Sequence, residues 1–170
     1  EHGSNAKVLK GWGMTEIASC GSFTKTDAKN KLGSVGIPLS KNIVKVLPRL
    51  NDPEKRYDID SEELHYGEKG TAFIYSMSRT AGYNNNQEAT DKIMYTDKDG
   101  RVWINTGDIF MIDTDGYMFF EGREKRVVVR PDGHNIPSSQ IESIAASFEE
   151  VELPVVVGSP SRLYAHGSVA

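Results

Sequence analysis

From Gly11 to Glu16 the chain reads Gly-Trp-Gly-Met-Thr-Glu, which sets a flat aromatic ring, a hydroxyl and a carboxylate close together in sequence. The Trp12 ring offers a face on which adenine can stack, the Thr15 hydroxyl suits a phosphate oxygen, and Glu16 is a hard oxygen ligand of the kind Mg²⁺ takes. The same residues also suit a core tryptophan followed by the start of a helix. A second group, Trp103-Ile104-Asn105-Thr106-Gly107-Asp108, ends on a carboxylate whose two oxygens can accept from both hydroxyls of a ribose. Gly107 before it allows close backbone approach. Taken alone, Thr-Gly-Asp is more simply an ordinary turn. Arg123 adds a permanent cation with a donor fork that a lysine cannot reproduce in shape, or else is a surface arginine in the charged connector 121–126.

These residues need elements to hold them. Val8 and Leu9 lead into the Gly11 segment, so the sequence predicts a short strand ending in a loop that opens a helical turn. Residues 42–47 and 71–75 are rich in β-branched or aromatic side chains and bounded by Gly, Pro and Asp, which predicts strands around a charged, turn-rich excursion at 51–63. Asn85 and Glu88 have the spacing of a capping arrangement, which predicts a short helix over 86–94, ended by Asp99-Gly100. Strands follow at 101–105, 109–112 and 117–121, with Asp113-Thr114-Asp115-Gly116 as the tight turn between the last two. Residues 127–130 and 134–136 flank Pro131-Asp132-Gly133 as a second hairpin. Pro137 then suits a first helical position, and Ile141, Ile144, Ala145 and Phe148 recur on one helical face. A last strand is expected at 153–157, and Ser168-Val169-Ala170 reads as the entry to another. The fold class expected is α+β: a β-rich, distorted barrel-like part, then a small α+β part that begins with a hairpin and is too small to stand alone.

Composition excludes several function classes. The 170 residues carry a formal charge of -4 with both signs mixed along the chain, so no basic stripe suggests nucleic acid and no polybasic run suggests an anionic membrane. No apolar run approaches the length of a membrane span, and the polar start lacks a signal-peptide pattern. Cys20 is the single cysteine, which fits a reducing compartment, and a cytoplasmic location is the expectation. Asp97-Lys98-Asp99-Gly100 and Asp113-Thr114-Asp115-Gly116 lack the further ligands and distal Glu of a calcium loop. His2, His65, His134 and His166 show no zinc-ligand spacing. Neither a Gly-x-Ser-x-Gly elbow nor a Walker-type loop is present.

Taken together and in this order, residues 11–16, residues 103–108 and the stretch from Gly122-Arg123 through Gly133 to Ile141-Glu142 resemble the family of adenylate-forming enzymes, which includes acyl-CoA synthetases, amino-acid adenylation domains and luciferases. Gly33-Ser34-Val35-Gly36-Ile37-Pro38 and Gly82-Tyr83-Asn84-Asn85 look like segments of the same family, so the likeness covers nearly the whole chain. The resemblance implies ATP or AMP, Mg²⁺ and CoA as ligands and a small carboxylic acid as the substrate; it sets no oligomeric state. It implies that Gly11, Trp12, Gly13 and Thr15 belong to the nucleotide loop, Glu16 to the metal, and Asp108 and Arg123 to the ribose and phosphate. Lys125 falls at the family's hinge, and Gly133 at the turn that approaches the CoA arm. It further implies a large domain ending at residue 124 and a mobile small domain beginning at 125, with the phosphate-cradling loop upstream and a late lysine downstream of these 170 residues. Departures from the family fall at Thr71, where relatives often carry Glu, and around Tyr75 and Ser76, where an Arg is usual. The function expected is that of an acid–CoA ligase forming AMP. The alternatives are an adenylation domain or acid–carrier-protein ligase, and a nucleotide-binding module without chemistry.

Overall fold

Strand β5 (Lys69–Ser76) is buried along most of its length, and its composition explains why. The two faces of a strand alternate, so Thr71 and Phe73 point one way and Ala72 and Ile74 the other, and each face meets its own apolar layer. Phe73 joins Leu47, Ile59, Tyr95 and Trp103 on one side. Ala72 and Ile74 face Val46, Phe110 and Met118 and, further along, Ile17 and Ile104 on the other. The computed structural model describes residues 8–26, 30–50, 52, 55–124, 127–129, 135–148, 150–159 and 168–169. Of the expected site residues, Lys125 and Gly133 lie outside these.

The described strands form open antiparallel sheets, with no closed barrel among the described residues. The largest runs β4-β5-β7-β6, where β4 is Asn42–Leu47, β6 is Met94–Thr96 and β7 is Val102–Ile112; β8 (Met118–Arg123) also pairs with β7. Register places Lys45 opposite Phe73 and Tyr95 opposite Trp103. A smaller sheet joins β1 (Gly11–Trp12), β2 (Ser22–Phe23) and β3 (Ile37–Pro38). Its loop drops Ile17, 1% exposed, into the second layer of the core.

Helix α1 (Gln87–Ile93) is shorter than expected, and its cap is Asn86, whose side chain accepts from the Ala89 amide, rather than Asn85. Asn85 adopts φ 53°, outside the helix. The expected strands 101–105 and 109–112 are one continuous β7, because Gly107 takes φ 66° inside the strand and the chain runs on through Thr106-Gly107-Asp108 without turning.

The chain divides into two compact units, residues 1–106 with 110–120, and residues 107–109 with 121–170. In the second, β9 (Val127–Val129) and β10 (Asn135–Pro137) pair antiparallel as the expected hairpin. Pro137 closes β10 instead of opening the helix, and α2 starts at Ser138, running Ser138–Ala145. Residues 153–157 are not a strand. Leu153, Val155 and Val157 are well exposed, and the Val156 amide donates to Glu142 Oε1 (3.1 Å) where a ladder would have given it a neighbouring carbonyl. The strand comes just later, β11 (Gly158–Ser159), paired with β12 (Ser168–Val169).

Candidate functional site

Trp12, Thr15 and Glu16 sit on one loop, and its shape follows from three residues. Ile17 anchors the turn in the core, so the residues before it, a single 3₁₀ turn over Thr15–Ile17, are held near the surface: Thr15 is exposed and Glu16 half-buried. The turn closes through Ser19 N to Met14 O (3.0 Å) and Gly21 N to Trp12 O (2.9 Å). Gly13 makes this closure possible, since a Cβ there would lie 1.5 Å from the Ser19 carbonyl oxygen. A glycine was therefore required between the tryptophan and the turn by close approach of backbone to backbone.

Trp12 is half-buried. Its ring meets Phe110 edge-on, with centroids 5.1 Å apart and planes at 77°, and packs against both buried hydrophobic clusters on that side of the sheet. The part of the ring in the core accounts for the structural role that its residue type allows, and the remaining exposed part is the surface that stacking would use. Gly11 lies in β1 beside it, exposed.

Glu16 has a partner that the sequence reading did not identify. The Tyr83 hydroxyl donates to Glu16 Oε1 at 2.5 Å, and this bond holds the tyrosine pKa above its ordinary value, with burial adding to the shift. The backbone of the same turn is tied to the same neighbourhood: Thr80 N donates to Glu16 O (2.7 Å) and Ser78 Oγ to Ile17 O (3.3 Å). The signal in the sequence was an aromatic placed directly after Gly82 in an otherwise polar stretch.

In the second unit the structure brings Asp108 and Arg123 together. Arg123 Nε lies 3.0 Å from Asp108 Oδ1, with the carboxylate side chain 3% exposed and the guanidinium side chain 56% exposed. The buried acid is thus compensated by a cation that reaches solvent, which is how a charge is kept in a strand interior. Gly107 before it is needed for its left-handed φ; a Cβ there would meet none of the described atoms.

The donor set fits magnesium in one specific way. Among the described residues no cluster of three or more His, Cys, Asp or Glu could hold a metal by itself. Mg²⁺ is ordinarily held by one or two carboxylates with substrate phosphates completing the shell, and Glu16 beside an exposed Thr15 hydroxyl matches that arrangement. Among the described residues no helix is long and apolar enough to cross a membrane.

Comparison with known proteins is consistent with this chemistry. The chain is 32% identical over 155 residues to the acyl-CoA ligase sidI of Aspergillus fumigatus, covering 90% of this chain and 24% of that protein. It is 34% identical over 151 residues to the probable 4-coumarate–CoA ligase 2 of Dictyostelium discoideum, covering 89% and 25%. Among solved structures, ATP-bound MatB from Rhodopseudomonas palustris superposes with a TM-score of 0.77 at 26% identity, over 95% of this chain and 29% of that one. The chain spans about a quarter of the length of the curated relatives it matches. No family model matches it.

Proposed function

We propose, from the premise that this chain belongs to the superfamily of adenylate-forming enzymes, that its protein is an acid–CoA ligase. In the first half-reaction a carboxylate oxygen of the acid attacks the α-phosphorus of ATP; the new P–O bond gives an acyl-adenylate, and the α–β anhydride breaks to release pyrophosphate. In the second, the CoA sulfur attacks the acyl carbon, the thiol proton is lost, and AMP leaves. The relatives named as CoA ligases support CoA as the acceptor.

The observation that carries this reading is the loop itself. It buries Ile17 and closes on Gly13, leaving Thr15 and Glu16 outward as adjacent hydroxyl and carboxylate. In this reading Trp12 lends its exposed surface to adenine, with Gly11 and Gly13 shaping the loop around it, and Thr15 donates to a phosphate oxygen. Glu16 holds Mg²⁺, which when bound supplies positive charge to the phosphate oxygens. Asp108 accepts from the ribose hydroxyls, and Arg123 orients that carboxylate while presenting its exposed donors. Lys125 is the hinge between a large domain, 1–124, and a small mobile one, 125–170, and Gly133 belongs to the CoA approach.

The test is titration calorimetry of the full-length protein with AMP and with ATP-Mg²⁺, comparing wild type with Asp108→Ala. Loss of one or two hydroxyl-to-carboxylate bonds weakens AMP binding by about ten- to a hundredfold, at roughly 1.5–3 kcal/mol for a hydrogen bond to a charged group. Equal AMP affinity in the two proteins, both folded, sinks the ribose assignment.

A further inference from the structure

The geometry points to Tyr83 as a positioning residue for the metal ligand: its hydroxyl fixes the orientation of the Glu16 carboxylate from a bracket, residues 78–83, that is locked to helix α1. This rests on the reading of Glu16 as a Mg²⁺ ligand and adds to it a residue and a mechanism.

The case begins with what Mg²⁺ demands. It accepts only near-octahedral geometry at short distance, so a carboxylate that swings freely is a poor ligand. Glu16 stands on a surface turn, where a glutamate side chain ordinarily samples many rotamers. Here one of its oxygens, Oε1, is engaged by the Tyr83 hydroxyl at 2.5 Å, which restricts rotation about the last side-chain bond and leaves the second oxygen available to a ligand. A tyrosine suits the task because its donor sits at the end of a rigid ring with two rotatable bonds.

Tyr83 can orient Glu16 only if its own position is set, and contacts among Thr80, Gly82, Asn86 and Thr90 set it. The Tyr83 amide donates to Thr90 Oγ1 at 2.9 Å, and Thr90, 7% exposed, sits in α1 with its hydroxyl donating back to Asn86 O at 2.9 Å. Gly82 adopts φ 142°, and a Cβ there would fall 2.8 Å from Thr90 Cγ2, so the chain lies directly against the helix. The Thr80 hydroxyl donates to Gly82 O at 3.1 Å and accepts from Gly82 N at 3.2 Å, which stiffens the approach from β5. The other end of the bracket holds the Glu16 main chain through Thr80 N at 2.7 Å. Backbone and side chain of Glu16 are therefore gripped by one segment whose reference is a helix.

The experiment is calorimetric titration of ATP into the full-length protein across a range of Mg²⁺ concentrations, with AMP in the absence of Mg²⁺ as the reference, for wild type, Tyr83→Phe and Glu16→Gln. Removing a residue that orients a metal ligand costs about tenfold in metal affinity, so Tyr83→Phe is expected to raise the Mg²⁺ concentration giving half-maximal enhancement of ATP binding by that factor. AMP affinity stays at its wild-type value in a protein that remains folded, which a role confined to supporting the loop would not permit. If Glu16→Gln shifts the Mg²⁺ midpoint and Tyr83→Phe does not, the positioning role is overturned and the metal reading stands. An equal loss of AMP affinity in Tyr83→Phe also overturns it, because the ring is then only supporting the loop. A Glu16→Gln protein with an unchanged Mg²⁺ midpoint removes the metal reading and this inference with it.

Discussion

Replacing Gly13 by alanine is expected to cost more than replacing a glycine that is merely strained, and the two costs can be worked separately. A Cβ at position 13 would lie 1.5 Å from the Ser19 carbonyl oxygen, 2.5 Å from its carbon and 2.9 Å from the Cys20 Cα. Carbon and oxygen in contact stay roughly 3.3 Å apart, so the two arms of the loop must part by close to 2 Å. Backbone atoms cannot rotate away as a side chain end would. Overpacking costs about 1–3 kcal/mol, and the displacement strains the Ser19–Met14 and Gly21–Trp12 bonds, each worth about 1 kcal/mol. A total of about 3 kcal/mol lowers the midpoint of a chain of 170 residues by roughly 6–12 °C. The comparison is Gly67→Ala, at φ 88° with none of the described atoms within 4 Å of the new methyl, where only the left-handed backbone penalty of roughly 1–2 kcal/mol applies. Thermal unfolding of both variants by circular dichroism gives the difference directly. In the full-length protein Gly13→Ala should also weaken ATP-Mg²⁺ binding, because Thr15 and Glu16 ride on the displaced arm, and Gly67→Ala should not. Equal midpoint shifts in the two variants, or a wild-type midpoint for Gly13→Ala, would refute the close-approach argument.

Two further outcomes follow from particular contacts. Asp97 is held below its ordinary carboxylate pKa, first by the Trp103 indole N–H at 2.8 Å, with the Arg101 and Asp99 amides adding to the shift against the opposing effect of burial. A depressed acid contributes stability that is present above its unfolded value, near 3.9, and is lost as pH falls through the lower folded value. Trp103→Phe should move the Asp97 titration, followed by carboxyl carbon NMR, up toward that ordinary value, and with it the acid unfolding limb; an unmoved titration would mean that the amide donors alone set it. Asn86→Ala removes the α1 cap and should cost about 1 kcal/mol, or roughly 2–4 °C. Asn85→Gly should cost nothing, since φ 53° is a conformation that glycine adopts freely. A larger loss at 85 than at 86 would restore the capping arrangement that the spacing of Asn85 and Glu88 had suggested.

What the sequence could and could not reveal divides along physical lines. Strands β4 and β5, the turn 113–116 and the β9–β10 hairpin were legible because residue type and turn chemistry act locally. Residues 153–157 carry the composition of a strand, but a strand also needs a neighbour to receive its amides, and Glu142 takes the Val156 amide instead. Gly107 reads as a turn in any window of sequence; it lies inside β7 because the flanking residues Trp103, Ile104 and Phe110 are pulled into the core on both sides of it. Lys45, 7% exposed, gave no sign of its burial. Its amine donates to Ile59 O and sits 4.3 Å from the centre of the Trp103 ring, partners contributed by segments far along the chain. Of the residues the sequence marks for the site, Thr15 and Glu16 share a turn and Asp108 faces Arg123 in the structure. The Tyr83–Glu16 contact was not legible, because a contact between residues 16 and 83 is created only by folding.

Three of the residues expected at the site, Glu16, Asp108 and Arg123, share a feature of their placement. Glu16 precedes Ile17, which is 1% exposed; Asp108 precedes Ile109, 4% exposed; and Arg123 follows a buried Gly122. In each case the polar group is adjacent in sequence to a residue fixed in the interior, so its backbone cannot drift; the Asp108 side chain is itself buried, while those of Glu16 and Arg123 reach the surface. Placement by a buried neighbour is stiff because close-packed interiors resist displacement, whereas placement by surface hydrogen bonds alone would compete with water. Glu16 is on a turn rather than a strand, so the buried neighbour fixes its backbone but leaves the side chain's torsions to be set separately. That difference is why an additional contact is found at Glu16, where the Tyr83 hydroxyl supplies it, while Asp108 is confined by the strand that carries it and by its ion pair with Arg123.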